Sequence, residues 1–276
     1  MCEEKYWNKS LKQTKFSIDK GCLKPLRTKE ITRQIYDCDD FIIRKLDTRK
    51  FKQNKIIGPK LNPFQPWEKS LEIERIGDKH QLILNKYPVQ LGHILLITRD
   101  WKPQNGWLDK KDWAAIKQVN KDTTGLWFFN SGSVAGASQP HRHIQLLRRN
   151  NKEKSCPRED WFMKLKDSYG ISNKLKENIS VKDFNFDDNT DNLYLKYLQI
   201  AEDLGLGNPK FNQKPLKPYN LLITNKWIAG IKRSKDQIYG YSINGLGFAG
   251  YILVTEISNV SYLKENGPEK LLENFV

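Results

Sequence analysis

The feature that most limits the fold is a series of short apolar runs, each long enough for one strand and each closed by turn residues. Gln81-Leu82-Ile83-Leu84-Asn85 and His93-Ile94-Leu95-Leu96-Ile97-Thr98 are separated by Tyr87-Pro88 and Gly92, a strand–turn–strand pattern. Leu126-Trp127-Phe128-Phe129 and His143 to Leu147 add two more strands, and Phe41-Ile42-Ile43 begins an earlier one. Tyr219 to Thr224 and Trp227 to Ile231 read as a pair turning at Asn225-Lys226, and Tyr251 to Ile257 as a further strand or buried segment. Helices interrupt this series. Asp109 is the expected N-cap of one running to about Lys121, with Trp113, Ile116 and Val119 on or near one face. Leu193 to Leu204 is amphipathic and stops at Gly205 and Gly207, and Glu269 to Phe275 predicts a short C-terminal helix. Residues 1–20 predict a charged helix with Trp7, Leu11 and Phe16 as apolar contacts, residues 47–70 a loop, and residues 150–190 a long connection. Strands and helices follow no strict βαβ alternation, so the class is α+β. NKYPVQLGHILLITRDW and KPYNLLITNKWIAGIKRS echo each other faintly across the chain, which suggests related halves, 1–150 and 151–276.

Composition narrows the function. Lys and Arg number 47 against 32 Asp and Glu, a formal charge of +15 that favours anionic partners, although most of the lysines are scattered as on a solvated surface. The longest apolar runs, such as Ile94 to Ile97, fall far short of the roughly 20 residues that a membrane span needs, so no membrane partner is expected. MCEEKYWNKS carries two acids and no apolar core, unlike a secretory signal. Cys2, Cys22, Cys38 and Cys156 have no C-x-x-C spacing, and free thiols in a reducing cytoplasm are expected. A zinc site on Cys22 and Cys38 would have no nearby histidine to complete it.

The most informative stretch is Asn130-Ser131-Gly132-Ser133-Val134-Ala135-Gly136-Ala137-Ser138-Gln139-Pro140-His141-Arg142-His143-Ile144-Gln145, which holds two of the chain's four histidines. In an extended segment His141, His143 and Gln145 project to one face, while Ile144 and Leu146 project to the other. The Gly/Ser/Ala loop before them offers backbone N–H groups that can approach a phosphate closely. A neutral imidazole is a good nucleophile toward phosphorus, and its phosphoramidate passes the group on. The other ring nitrogen must then carry the proton, held by a hydrogen bond. A glutamine can donate to a phosphate oxygen but cannot act as a general acid. His-x-His-x-Gln therefore suits a leaving group that needs no proton, as in transfer from a dinucleoside polyphosphate or a nucleotide sugar.

GASQPHRHIQ resembles the active-site motif of the histidine-triad superfamily in its transferase branch, where glutamine replaces the third histidine. Within that branch the chain is most similar to the ATP adenylyltransferases, also called diadenosine tetraphosphate phosphorylases. LNKYPVQLGHILLITRDW, LWFFNSGSVAGASQPHRHIQLL, KPYNLLITNKWIAGIKRSK and INGLGFAGYILVTE carry the similarity from about residue 84 to 256. The resemblance implies a histidine-triad-like antiparallel sheet with flanking helices, two related halves packed into one unit, the first of them catalytic and the second completing the nucleotide site. It implies reversible phosphorolysis of diadenosine tetraphosphate to ATP and ADP through adenylylated His143, with His141 and Gln145 orienting and stabilising. It further implies nucleotide contacts from Asn85, Lys86, Asn130 and Gly136-Ala137-Ser138-Gln139, and from Asn244-Gly245-Leu246 and Tyr251. Lys52, or else Lys55, matches a substrate lysine, and Thr255 stands where eukaryotic members carry a lysine. The partners implied are diadenosine tetraphosphate, ATP, ADP and phosphate. No cofactor or protein-held metal is called for, although a divalent cation could travel with the polyphosphate.

Competing readings are weaker. The uridylyltransferases of the same branch carry proline between the paired histidines, where this chain has Arg142. A basic RNA-binding protein fits the charge but shows no RRM, KH or OB signature. Gly245-x-Gly247-x-x-Gly250 spells a dinucleotide fingerprint, yet YILVTEI follows it instead of a helix. Asp183, Asp187, Asp188 and Asp191 lack a cation-loop pattern, and His93 reads as a hydrogen-bonded core histidine.

Overall fold

The computed structural model describes residues 4–47, 62–150, 152–166 and 173–276. Its elements in chain order are α1 (Lys5–Asp19), β1 (Thr28–Glu30), α2 (Thr32–Ile35), β2 (Ile42–Leu46), β3 (Glu72–Ile76), β4 (His80–Leu84), β5 (Ile94–Thr98), α3 (Lys110–Asn120), β6 (Gly125–Asn130) and β7 (His143–Arg148). There follow α4 (Glu159–Lys166), α5 (Asn173–Asn178), β8 (Ile179–Asp183), α6 (Thr190–Asp203), β9 (Tyr219–Ile223), β10 (Trp227–Lys232), β11 (Gln237–Ile238), β12 (Tyr241–Ser242), α7 (Gly245–Phe248), β13 (Tyr251–Val254) and α8 (Val260–Glu273). Eight strands form one antiparallel sheet in the order β3-β4-β5-β7-β6-β9-β10-β8, with helices against it, which is the expected α+β architecture. The sheet is continuous across residue 150, because β6 pairs with β9.

Period two explains how this sheet is buried on both faces. Leu82, Ile94, Leu96, Trp127, Phe129, Ile144, Leu146, Leu221, Ile223 and Ile228 point to one side, where α3 and α6 cover them with Trp113, Ile116, Leu193, Tyr197 and Ile200. Asp109 caps α3 as expected, and its capping box with Asp112 satisfies two of the helix's orphan N–H groups. The other face is covered in two separate patches. Residues from β6, β9 and β10 pack under α4, α7, α8 and β13, while Ile83, Leu84, Leu95 and Ile97 pack with Leu23, Phe64 and Leu71. Between the patches the sheet faces a cleft.

Four expectations need correction. The stretch 150–190 is not a bare connection: it holds α4, α5 and β8, and β8 is the edge strand of the main sheet, paired with β10. In α1 the buried residues are Tyr6, Ser10, Thr14 and Ser17, while Leu11 and Phe16 are exposed. Small hydroxylic side chains let the helix approach closely, and Ser17 and Gln13 donate to the Ser70 carbonyl. The last helix begins at Val260, nine residues earlier than expected, and kinks where Gly267 takes φ 78° before Pro268. Finally, Tyr251 onward forms a strand only to Val254, and it lies outside the main sheet, parallel to β2 in a three-stranded sheet with β1. No helix among the described residues is long and apolar enough to cross a membrane.

Candidate active site

The cleft has a volume of about 1320 Å³. Its floor is β7. His143, Gln145 and Leu147 of β7, followed by Arg149, alternate into it, as period two requires. Asn85, Lys86, Gly136, Ser138, Gln139, Asn244, Leu246 and Tyr251 line the same cleft, so ten of the residues singled out from the sequence come together there. The others stand apart from its lining. Asn130, Ala137, His141 and Gly245 lie beneath or beside it, Thr255 sits beyond the end of β13 bonded to Ser258, and Lys52 and Lys55 fall outside the described residues.

Each histidine's tautomer follows from its partners. The His143 Nδ1–H donates to the His141 carbonyl at 2.9 Å, which leaves its Nε2 lone pair free. The backbone N–H of His143 donates to Gln104 Oε1 at 2.7 Å, and Gln104 Nε2 donates to the Asn130 carbonyl at 2.8 Å, which pins the strand on both sides of the loop. Burial pulls the His143 imidazole down to about 4, against a partial offset from its bond to the His141 carbonyl. At neutral pH it is therefore an uncharged base.

His141 lies on the same side of the strand, since the Phe64 ring is 5.8 Å from its ring and 5.4 Å from that of His143. Yet it is fully buried, under Phe64, Trp101 and Asn62. The Phe64 N–H occupies Asn62 Oδ1 at 3.0 Å, so Asn62 Nδ2 donates to His141 Nδ1 at 2.8 Å. Its Nε2–H then donates to the Thr98 carbonyl at 2.8 Å. With both nitrogens engaged, His141 has no lone pair to offer a substrate; its carbonyl fixes His143.

The loop before the strand is held as tightly. Gly136 takes φ 85°, and a Cβ there would lie 2.6 Å from Asn244 Cβ, so only glycine allows the two segments to meet. Asn130 Oδ1 accepts from Asn220 Nδ2 at 2.8 Å and from the Gly245 N–H at 2.9 Å, tying β6, β9 and the start of α7 to one point. Asn244 caps α7 through the Leu246 N–H. That four-residue helix leads straight into β13, not into a dinucleotide-binding helix.

Among the described residues four cations line the cleft, and each of these is already engaged. Lys86 pairs with Glu68 at 2.8 Å, Lys154 with Asp160 at 2.8 Å and Arg44 with Glu30 at 3.6 Å, while Arg149 donates to the Tyr251 hydroxyl at 2.9 Å. A hydrogen bond from Cys22, then one from Lys86, brings Glu68 down to about 2. Cys22 belongs to this rim, whereas Cys38 packs in the core patch around α4 and α8. Among the described residues no three His, Cys, Asp or Glu side chains are gathered as for a metal ion. Asn62, Phe64, Gln104, Arg149 and Arg44 escaped the sequence reading. Asn62, Phe64 and Gln104 lie in irregular segments, where neither period nor motif marks them; Arg149 alone could have been found, by continuing the alternation of β7 past its end.

Comparison with known proteins gives the family and the fold. The profile of the Ap4A phosphorylase N-terminal domain matches residues 1–163, and that of the ATP adenylyltransferase C-terminal domain matches residues 154–276. Diadenosine 5',5'''-P1,P4-tetraphosphate phosphorylase 2 of Saccharomyces cerevisiae is 27% identical over 252 residues, which cover 80% of this chain and 76% of the yeast protein. Protein APA1 of the same yeast is 28% identical over 201 residues, 63% of this chain and 61% of that protein. The crystal structure of yeast Ap4A phosphorylase Apa2 in complex with AMP has the same fold, with a TM-score of 0.73 at 24% identity over 99% of this chain and 98% of that one.

Proposed function

This chain belongs to the family of Ap4A phosphorylases and ATP adenylyltransferases, and from that premise we propose that it splits diadenosine tetraphosphate with inorganic phosphate, with His143 as the nucleophile. It is a nucleotidyltransferase. The observation that carries the assignment of His143 is the tautomer set: of the two histidines in the motif, His143 alone keeps a free ring nitrogen facing the cleft.

In the first step His143 Nε2 attacks an α-phosphorus, the P–O bond to the remaining chain breaks, and ATP leaves. In the second, an oxygen of inorganic phosphate attacks the adenylylated nitrogen's phosphorus, the P–N bond breaks, and ADP leaves with neutral His143 restored. The two steps are reversible. As bonds form, the imidazole becomes cationic, and the His141 carbonyl on Nδ1–H stabilises that charge. Because the leaving triphosphate needs no proton, Gln145 serves as a donor to the phosphate oxygens. Asn85, Lys86, Ser138, Gln139, Asn244, Leu246 and Tyr251 are the proposed nucleotide contacts, and Lys52 and Thr255 complete the set drawn from the sequence. Asn130, Gly136, Ala137, His141 and Gly245 contribute by holding that shape. Three free cysteines among the described residues support a reducing, cytoplasmic setting.

The test is isotopic. Phosphorolysis with ³²P-labelled phosphate should put the label in ADP and none in ATP, and His143→Ala should abolish both products while retaining the fold. Label in ATP, or full activity in the variant, overturns the reading.

A further inference from the structure

Gln145 helps a phosphate only if its amide presents N–H, not C=O, and the two ends differ only in what else they meet. In the ladder Gln145 lies opposite Leu95 on β5 and Phe128 on β6, both apolar. Among the described residues a polar side chain that reaches it is His93, which lies on the same face as Leu95, two residues before it. It is buried, lines the cleft and packs its ring 5.7 Å from that of Phe128.

The tautomer of His93 is set from behind. The Tyr87 N–H donates to Asn85 Oδ1 at 3.0 Å, so the other end of that amide, Nδ2, faces His93 Nδ1 at 3.1 Å. Nδ1 must accept, and Nε2 must carry the proton. His93 Nε2 closes to strict hydrogen-bond geometry with no group among the described residues. The side chain it faces is Gln145, whose approach partly offsets the burial that brings His93 to about 4. Asn85 and His93 thus repeat the arrangement of Asn62 and His141: an asparagine fixed by the N–H two residues on, donating to Nδ1 of a histidine.

We propose that His93 is a positioning residue: its Nε2–H, fixed by Asn85, holds Gln145 Oε1 and so turns the Gln145 amide N–H toward the transferring phosphate. This rests on the role given to Gln145 above. It also gives Asn85 a function inside the protein in addition to its place on the cleft wall.

The experiment compares His93→Gln, His93→Asn and His93→Phe, each alone and with Gln145→Ala, in single-turnover adenylylation by diadenosine tetraphosphate. Glutamine can place an N–H where Nε2 was, and asparagine cannot. His93→Asn and His93→Phe should slow adenylylation about tenfold, the worth of one neutral hydrogen bond, with KM little changed, while His93→Gln recovers most of the rate. In the Gln145→Ala background none of the three should matter further. ¹⁵N NMR of histidine-labelled protein should show His93 as the Nε2–H tautomer. A Nδ1–H tautomer, equal rates for His93→Gln and His93→Asn, or effects that simply add to that of Gln145→Ala would overturn the inference. The NMR arm needs no turnover. A protein with the Nε2–H tautomer that fails to split diadenosine tetraphosphate would sink the functional reading and leave the Asn85–His93 alignment standing.

Discussion

Acid should destabilise this protein through its own nucleophile, by an amount the structure sets. His143 is 4% exposed, and burial lowers it from 6.5 to about 4. The folded value lies below the unfolded one, so as pH falls through 6.5 the unfolded chain takes up a proton that the folded chain refuses. This contribution is fully retained above pH 6.5 and is lost as pH falls toward 4. At 1.36 kcal/mol per pH unit, the loss between pH 7 and pH 4 is roughly 3 kcal/mol for this one side chain, a large part of the about 5–15 kcal/mol that holds a typical domain together. Urea unfolding of the wild type and of His143→Gln across that range isolates it, since every other titrating group is common to both. The wild type should lose about 3 kcal/mol more than the variant. The same shift predicts that single-turnover adenylylation stays flat from pH 8 down to about pH 5, because the bridging phosphates of the substrate do not titrate there. Parallel stability curves for wild type and variant, or a rate that halves near pH 6.5, would refute the buried neutral nucleophile.

Two further outcomes follow from groups around the site. Asp112 is fully buried and accepts from Arg142 at 2.8 Å and His80 at 2.8 Å; Asp112→Ala strands the Arg142 guanidinium and should cost about 3–5 kcal/mol in urea unfolding, so a loss under about 1 kcal/mol would contradict the pairing. Lys86 is held by Glu68, so Glu68→Gln should free it and lower the KM for diadenosine tetraphosphate, whereas Lys86→Ala should raise KM by about tenfold; a rise from Glu68→Gln as large as that from Lys86→Ala would mean the carboxylate itself contacts substrate.

The central strands could be read from the sequence because both faces of the sheet are covered. Where a strand is buried on both sides, nearly every residue is apolar, and Leu82 to Leu84, Ile94 to Ile97 and Leu126 to Phe129 stand out as unbroken runs. β8 did not stand out, for the opposite reason. It is an edge strand, Ile179–Asp183, with Lys182 and Asp183 at its end, and no pattern of that length separates it from a polar connection. In α1 the pattern pointed the wrong way: helices usually bury their largest apolar residues, but this one is drawn against the Ser70 carbonyl, and Ser17 and Gln13 satisfy that group where Leu11 and Phe16 could not.

For the site, spacing placed His143 and Gln145 on one face, but spacing cannot distinguish a histidine that reacts from one that is locked. That difference lies in hydrogen-bond partners brought from elsewhere in the chain. Asn62 sits 79 residues before His141 and occupies its Nδ1. The His141 carbonyl, two residues from His143, occupies the opposite kind of position, accepting where Asn62 donates. One imidazole is thereby given a proton on Nε2 and the other is denied it, and only the second can attack phosphorus. A sequence shows which residue types alternate along a strand. Which nitrogen is left bare depends on a loop asparagine and a backbone carbonyl, and those meet the histidines only in the folded chain.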